Sequence, residues 1–328
     1  MANLLDNFNT VFVACYESGG AQIISSFIKN NRLMENTQYC LGGPARPIFE
    51  NKLGKITNLS LHDITKLDPK TDLVMTGRSL VPEWERDAIR LAKDRGVKVV
   101  TFLDHWVNYE DSFIPVSRRA SSETRKFLDL LPNEVIVGDK YAARLIKKTR
   151  IPAGIVRFIE NEYFCDLKVF FKPRRPVSSS KKHILYISEP IYDDLKKIYG
   201  DGNKWGYNEF DVLKEIVNFV PEFKKMGFEG LIIRLHPNEK KEKYAGILND
   251  PSRQKDFGVC LSEHMSLEED ILRAKLVLGM ESMALVIAIL AGVKTVSYLP
   301  KSAVKKCVLP YKELVKIKDL NLIKELKI

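Results

Sequence analysis

Short, almost wholly apolar runs alternate along this chain with longer segments whose apolar residues recur every three or four positions. The first run, TVFVACY (10–16), is β-branched and aromatic and ends at the polar ESGG. Behind it, AQIISSFIKNN places Ile23, Ile24, Phe27 and Ile28 on one helical face, the spacing of a helix lying on a sheet. DLVMTG (72–77) predicts a second strand, and PEWERDAIRLAKDRG a helix that opens near Pro82 and closes at Gly96. VKVVTFLD (97–104) and NEVIVGD (133–139) predict two more strands, the latter followed by a helical KYAARLIKK.

The stretch FFKPRRPVSSSKK (170–182) is polar, carries prolines and has no periodicity, so it predicts a linker. A second strand–helix series follows it. Its strands are HILYIS (183–188), GLIIRL (230–235), FGVCL (257–261), KLVLGM (275–280) and VKTVSYL (293–299). Helices are expected around 208–220, near 239–248, over LEEDILRA behind a Ser266/Glu269 capping box, and over SMALVIAILAG. Continuously apolar strands separated by helices mean parallel sheets covered on both faces. The expected fold is therefore α/β, with two doubly wound Rossmann-like domains facing a cleft, at 1–170 and 171–328.

Composition narrows the class. With 45% hydrophobic and 29% charged residues, a chain of 328 residues holds enough apolar material for two cores. Its five cysteines, Cys15, Cys40, Cys165, Cys260 and Cys307, are odd in number and widely spread, with no C-x-x-C pair. That spacing argues against a disulfide framework or a structural zinc site and fits the cytoplasm. The N-terminal residues lack a basic leader, and MALVIAILAGV falls short of the ~20 apolar residues that span a bilayer. A net charge of +10 favours anionic partners. The basic residues are scattered, as on a solvated surface, which also fits peripheral contact with an acidic membrane face. No basic helix interleaved with aromatics suggests nucleic acid.

Ligands of doubly wound sheets sit beyond the carboxyl ends of the strands. In the second half three such ends carry polar chemistry: Ser188-Glu189-Pro190, Arg234 with His236-Pro237, and Gly279-Met280-Glu281-Ser282. Arg234 and His236, two apart, point the same way in an extended chain. Ser282 stands where a helix begins, and free amides at that point favour an anion. Each feature has a plain reading, a turn at His-Pro and an ordinary cap at Ser282. Together, a guanidinium, an imidazole, a hydroxyl and a helix N-terminus describe a phosphate or diphosphate site. Glu189 is either a solvated loop residue or an acceptor for a base or ribose. In the first half, Glu17-Ser18-Gly19-Gly20 follows the first strand, its glycines allowing close approach of a ligand, and Asp104-His105-Trp106 closes the third.

These motifs resemble the GT-B glycosyltransferases, in which two Rossmann-like domains meet across a cleft. RLHP is similar to the His-Pro motif of bacterial sialyltransferases, polysialyltransferases and capsule Kdo transferases, and to that of CDP-glycerol glycerophosphotransferases. ISEP and GMESMALVIAILAGVKTVSYLP resemble the nucleotide-proximal loops of those enzymes, which puts Ser282 on the donor phosphate. The resemblance spans 183–299 at the level of motifs. ESGG resembles a loop of lipid A disaccharide synthase, and Asp104 that enzyme's catalytic aspartate. Two departures stand out. YEDS (109–112) lacks the glycine of the sialyltransferase acidic motif, and Ile289 stands where retaining enzymes carry a second glutamate after Glu281.

The resemblance implies a metal-independent glycosyltransferase of surface-polysaccharide assembly. Its donor would be a CMP- or UDP-activated sugar and its acceptor a glycan or a lipid-linked glycan, with no cofactor beyond the nucleotide-sugar substrate. Asp104 is the expected base, with His105 and Glu17 in reserve. Arg234, His236 and Ser282 would stabilise the leaving phosphate in place of a metal. A nucleotide-sugar hydrolase or 2-epimerase, a glycerophosphotransferase, and a non-catalytic glycan- or partner-binding module are the alternatives.

Overall fold

A computed structural model describes residues 8–118, 130–174, 182–248, 257–263 and 265–327. The chain divides into two compact units, Met1–Asp166 and Leu167–Ile328.

The first unit alternates strand and helix as its apolar pattern requires. Its elements are β1 (Thr10–Cys15), α1 (Ser18–Asn30), β2 (Thr37–Leu41), α2 (Ala45–Leu53), β3 (Asp72–Thr76), α3 (Trp84–Arg95), β4 (Lys98–Leu103), β5 (Glu134–Val137), α4 (Lys140–Leu145) and β6 (Val156–Phe158). All six strands are parallel, in the order β2-β1-β3-β4-β5-β6. Both faces are covered, so Val11–Cys15 and Asp72–Thr76 are buried at every position. Helix α3 closes on Gly96, whose φ of 78° an L side chain rarely adopts. Helix α5 (Glu162–Phe171) carries the division between the units. The boundary expected at 170 therefore falls a few residues earlier. The first residues of the expected linker are helical, with a 3-10 turn at Lys172–Arg174 after α5. Positions 175–181 of that stretch lie outside the described residues.

The second unit contains β7 (His183–Ile187), α6 (Ile191–Tyr199), α7 (Glu209–Asn218), α8 (Val220–Lys225), β8 (Gly230–Arg234), α9 (Ala245–Leu248), β9 (Gly258–Leu261), α10 (Leu267–Arg273), β10 (Ala274–Gly279), α11 (Met283–Leu290), β11 (Lys294–Tyr298) and β12 (Val315–Ile317). The strands are parallel in the order β12-β11-β10-β7-β8-β9. The capping box forms as the sequence predicts, Ser266 N donating to Glu269 Oε2 at 2.8 Å and Glu269 N to Ser266 Oγ at 3.2 Å. The core packs Ile184, Tyr186, Leu231, Ile233, Leu276 and Leu278 of the sheet against Val212, Leu213, Ile216 and Phe223 of the helices.

The fold class expected from the pattern, two Rossmann-like doubly wound domains, is the one observed. Strand order reverses between β1 and β3 in the first unit and between β7 and β10 in the second. A crevice opens at such reversals, beyond the carboxyl ends of the strands. Gly279 pairs with Ile187, and Ile187 with Arg234, so β10, β7 and β8 end side by side. Among the described residues no helix is long and apolar enough to cross a membrane.

Candidate functional site

At the reversal point of the second unit, β7 delivers Glu189 and β10 delivers Glu281 and Ser282. Ser282 is the N-cap of α11, in extended backbone, and its Oγ accepts from Ala284 N at 3.2 Å. The amides of Glu281 and Ser282 turn to the Glu189 carboxylate; Glu281 N donates to Glu189 Oε1 at 2.6 Å. Burial pushes the Glu189 carboxyl up to about 7; the Glu281 charge adds to this, while the two amides and Lys305 oppose it. Glu189, read from sequence as a solvated loop residue or an acceptor for a base or ribose, is half-buried here, with its carboxylate on the two amides of the turn that leads into α11.

Glu281 is itself held. Its Oε1 accepts from Val308 N at 2.9 Å, and its Oε2 pairs with Lys305, whose Nζ lies 3.3 Å above the centre of the Trp205 ring. Tyr207 is buried, and its hydroxyl has no hydrogen-bond partner. The carboxylates acting on it most strongly are Glu281 and then Glu189.

At the end of β8, Arg234 Nη1 donates to Asp270 Oδ2 at 2.5 Å and to Met265 O at 2.9 Å. Asp270 is buried in α10, so this nitrogen of the guanidinium foreseen on a phosphate anchors that helix, while the side chain stays 26% exposed. His236 and Pro237 open a turn closed by Glu239 N donating to His236 O at 2.8 Å, with exposed Pro237 at its second position. Within the turn, Asn238 N donates to His236 Nδ1 at 3.2 Å. That acceptor role puts the ring proton on Nε2, leaving one N–H donor. Burial holds the imidazole pKa below its ordinary value, so it is neutral at pH 7.

Glu239, three residues after His236, was not singled out by sequence, yet it organises this rim. Its Oε2 accepts from His236 N at 2.9 Å, and its Oε1 from Tyr244 OH at 2.6 Å, Lys243 Nζ at 2.9 Å and Ser188 Oγ at 3.2 Å. Ser188, expected at the ligand, is instead fully buried, its Oγ 2.6 Å from Tyr244 OH. Lys243 also pairs with Glu209.

In the first unit the reversal point gathers Glu17 to Gly20 after β1 and Gly77 to Ser79 after β3, with Asp104 one strand along. Asp104 Oδ1 accepts from Arg78 Nε at 2.8 Å, and both side chains are nearly buried, 13% and 10% exposed. Arg78 is held in turn by Val107 O at 2.9 Å and Ser112 Oγ at 3.1 Å. A Cβ on Gly19 would fall 1.8 Å from Asp104 Oδ2, so the start of α1 lies directly against the carboxylate. The expected base is thus one member of an ion pair, and its partner Arg78 carried no sequence signal. Gly20 also packs against Gly77, where an added Cβ would fall 3.0 Å from Gly77 Cα. Ser18 Oγ is buried without a partner. Glu17 is the N-cap residue of α1 but its side chain does not cap the helix. The His105 ring packs 5.4 Å from Trp106, whose Nε1 donates to Asp139. Among the described residues no group of three or more His, Cys, Asp or Glu side chains forms a metal cluster.

Solved structures resemble this chain over both units. The UDP-GlcNAc 2-epimerase of Methanocaldococcus jannaschii superposes with a TM-score of 0.61 at 14% identity, covering 97% of this chain and 92% of its own. Anabaena HepE in complex with UDP and glucose gives 0.55 at 10% identity, covering 89% and 80%. An S. aureus MnaA–UDP structure gives 0.54 at 13% identity, covering 88% and 78%. At these identities the likeness concerns the fold. No family model and no curated protein matches the chain.

Proposed function

We propose that this chain is an enzyme acting on a nucleotide-activated sugar, and that it passes the sugar to a hydroxyl acceptor. The observation that carries this reading is the reversal point of the second sheet. There the Glu281 and Ser282 amides, in the turn that leads into α11, already serve a carboxylate, in the position where a doubly wound domain receives a ligand. The His236 Nε2–H, on the same rim of strand ends, supplies a further donor. In the reaction the acceptor oxygen attacks the anomeric carbon, the bond from that carbon to the terminal phosphate oxygen breaks, and its electron pair stays on the phosphate. The hydroxyl proton passes to a base, for which Asp104 is proposed. The Glu281 and Ser282 amides with His236 stabilise the phosphate left behind. A UDP-linked donor fits the UDP complexes among the similar structures. The resemblance in RLHP and its neighbouring loops supports a CMP-linked donor and a surface-glycan acceptor, and the net charge of +10 supports peripheral contact with an acidic membrane face.

The second reading is a nucleotide-sugar 2-epimerase or hydrolase, favoured by the UDP-GlcNAc 2-epimerases among the similar structures. One experiment separates the readings. UDP-GlcNAc, UDP-glucose and a CMP-linked sugar are each incubated with the protein, with and without a glycan acceptor, and followed by proton NMR. Nucleotide release that requires the acceptor supports transfer. Release without acceptor, or appearance of a 2-epimer, supports the second reading. Thermal stabilisation by nucleotide without turnover points to a binding module and ends the enzymatic claim. Turnover is expected to survive EDTA; its loss, with recovery on Mg²⁺ or Mn²⁺, counts against a phosphate neutralised by protein groups alone.

A further inference from the structure

The turn leading into α11 is not an open anion site. Its Glu281 and Ser282 amides are engaged by the half-buried Glu189, and a buried carboxylate, Glu281, lies beside them, paired with Lys305. A diphosphate arriving at those amides meets the Glu189 carboxylate already on them, and like charges close together disfavour one another. The buried Tyr207 hydroxyl, lacking a partner and acted on chiefly by those same two carboxylates, marks unused hydrogen-bonding capacity at this point.

We propose that Glu189 is a built-in competitor for phosphate: the ligand takes its place on the Glu281 and Ser282 amides, and the displaced carboxylate picks up a proton. The proposal rests on the nucleotide reading of this site and adds to it a proton stoichiometry. The balance is simple. One proton comes from solvent, forms the O–H bond of the neutral Glu189 acid, and lets the phosphate keep its full charge.

The charged and titratable groups acting on Glu189 come from each neighbouring segment. They are Glu281 after β10, Lys305 after β11, Tyr186 on β7 and Tyr207 ahead of α7. Glu281 raises the carboxyl and Lys305 lowers it, with the balance at about 7. In the free protein Glu189 is therefore mostly protonated at pH 6 and mostly ionised at pH 8.5. Proton uptake on binding is expected to approach one at pH 8.5 and to vanish by pH 6. Affinity should fall about tenfold for each pH unit above 7.

The test is calorimetric titration with UDP at pH 7.5 and 8.5, in buffers of different ionisation enthalpy. The ligand's own terminal phosphate, with a second pKa of about 6, stays ionised across this range. The wild-type protein should take up close to one proton at pH 8.5. Glu189→Gln should take up none, and should bind UDP about 30-fold tighter than wild type at that pH, the factor that 1.5 pH units above 7 give. His236→Gln, compared at saturation, should still take up the proton, which separates Glu189 from the neighbouring imidazole should Glu189→Gln not fold. UDP binding by wild type without proton uptake overturns the proposal and leaves the nucleotide site standing. Uptake that persists in Glu189→Gln, or disappears in His236→Gln, overturns it in favour of the histidine. No UDP binding by any of the three proteins overturns the nucleotide site and this coupling with it.

Discussion

Asp104 shows how much a residue's meaning depends on what touches it. A carboxylate at a strand tip reads as a base, but here Arg78 holds one oxygen and Gly19 lies against the other. Both side chains of the pair are largely out of water, so removing one strands the other. Arg78→Met is expected to cost about 3 kcal/mol, as for a broken buried pair, read as a lowered urea midpoint. Gly19→Ala must push the Asp104 carboxylate aside and should cost about 1–3 kcal/mol. Asp104→Asn keeps the shape and tests chemistry: loss of about 10²–10⁴-fold in turnover supports a base. Normal turnover in a destabilised Asp104→Asn protein would leave Asp104 a purely structural role. Arg234 teaches the converse. Its place at a strand end was legible, but its partner Asp270 lies in a helix 36 positions later, beyond any local spacing rule.

At the scale of elements, the strands read from sequence are mostly those buried on both faces, because they show an unbroken apolar run; edge strand β9 was read as well, from the apolar FGVCL. β2 (TQYCL), β6 (VRF) and β12 (VKI) were missed. All three are edge strands with a single neighbour, and polar residues are tolerated there, as in the exposed Arg157 of β6. Ser282 was legible for a different reason, since a serine ahead of an apolar helical run is a local signal. What it could not reveal was Glu189, 93 positions earlier, whose carboxylate serves the same turn. Ser282→Ala should cost about 1 kcal/mol of stability through the lost cap. Ser282→Ala keeps the backbone amide assigned to the phosphate, so its UDP affinity should change little. His236→Ala removes the Nε2–H donor and should weaken UDP binding by about 1–3 kcal/mol. Unchanged UDP affinity in His236→Ala, measured by calorimetry, would remove the imidazole from the phosphate site.

At the scale of the molecule, the two units solve the same problem with different strand orders, and each gathers its polar residues where that order reverses. The cysteines follow from the sheets rather than from any site. Cys15 ends β1, Cys40 lies in β2 and Cys260 in edge strand β9, while Cys165 is on α5 and Cys307 follows β11. None of the five is in a disulfide. Cys15 and Cys40 are wholly enclosed, Cys165 and Cys307 half-buried, and only Cys260 is exposed. Reaction with a thiol reagent needs both access and the thiolate. Burial pushes Cys40 up to about 11 and holds Cys15 well above its ordinary value, so both are protected twice over. Partial burial, then the charges of Asp270 and Glu263, raise the Cys260 thiol as well, so its thiolate fraction at pH 8 is below that of a free cysteine. In the native protein a disulfide reagent at pH 8 should therefore modify Cys260 first, more slowly than it modifies a model thiol. The rate should rise as pH is raised toward the thiol's elevated pKa. In denaturant all five should react at the rate of unperturbed thiols. Prompt native reaction at Cys15 or Cys40, identified by mass spectrometry of the modified peptides, would show that the β1–β2 side of the first sheet opens to solvent and is not the closed core described above.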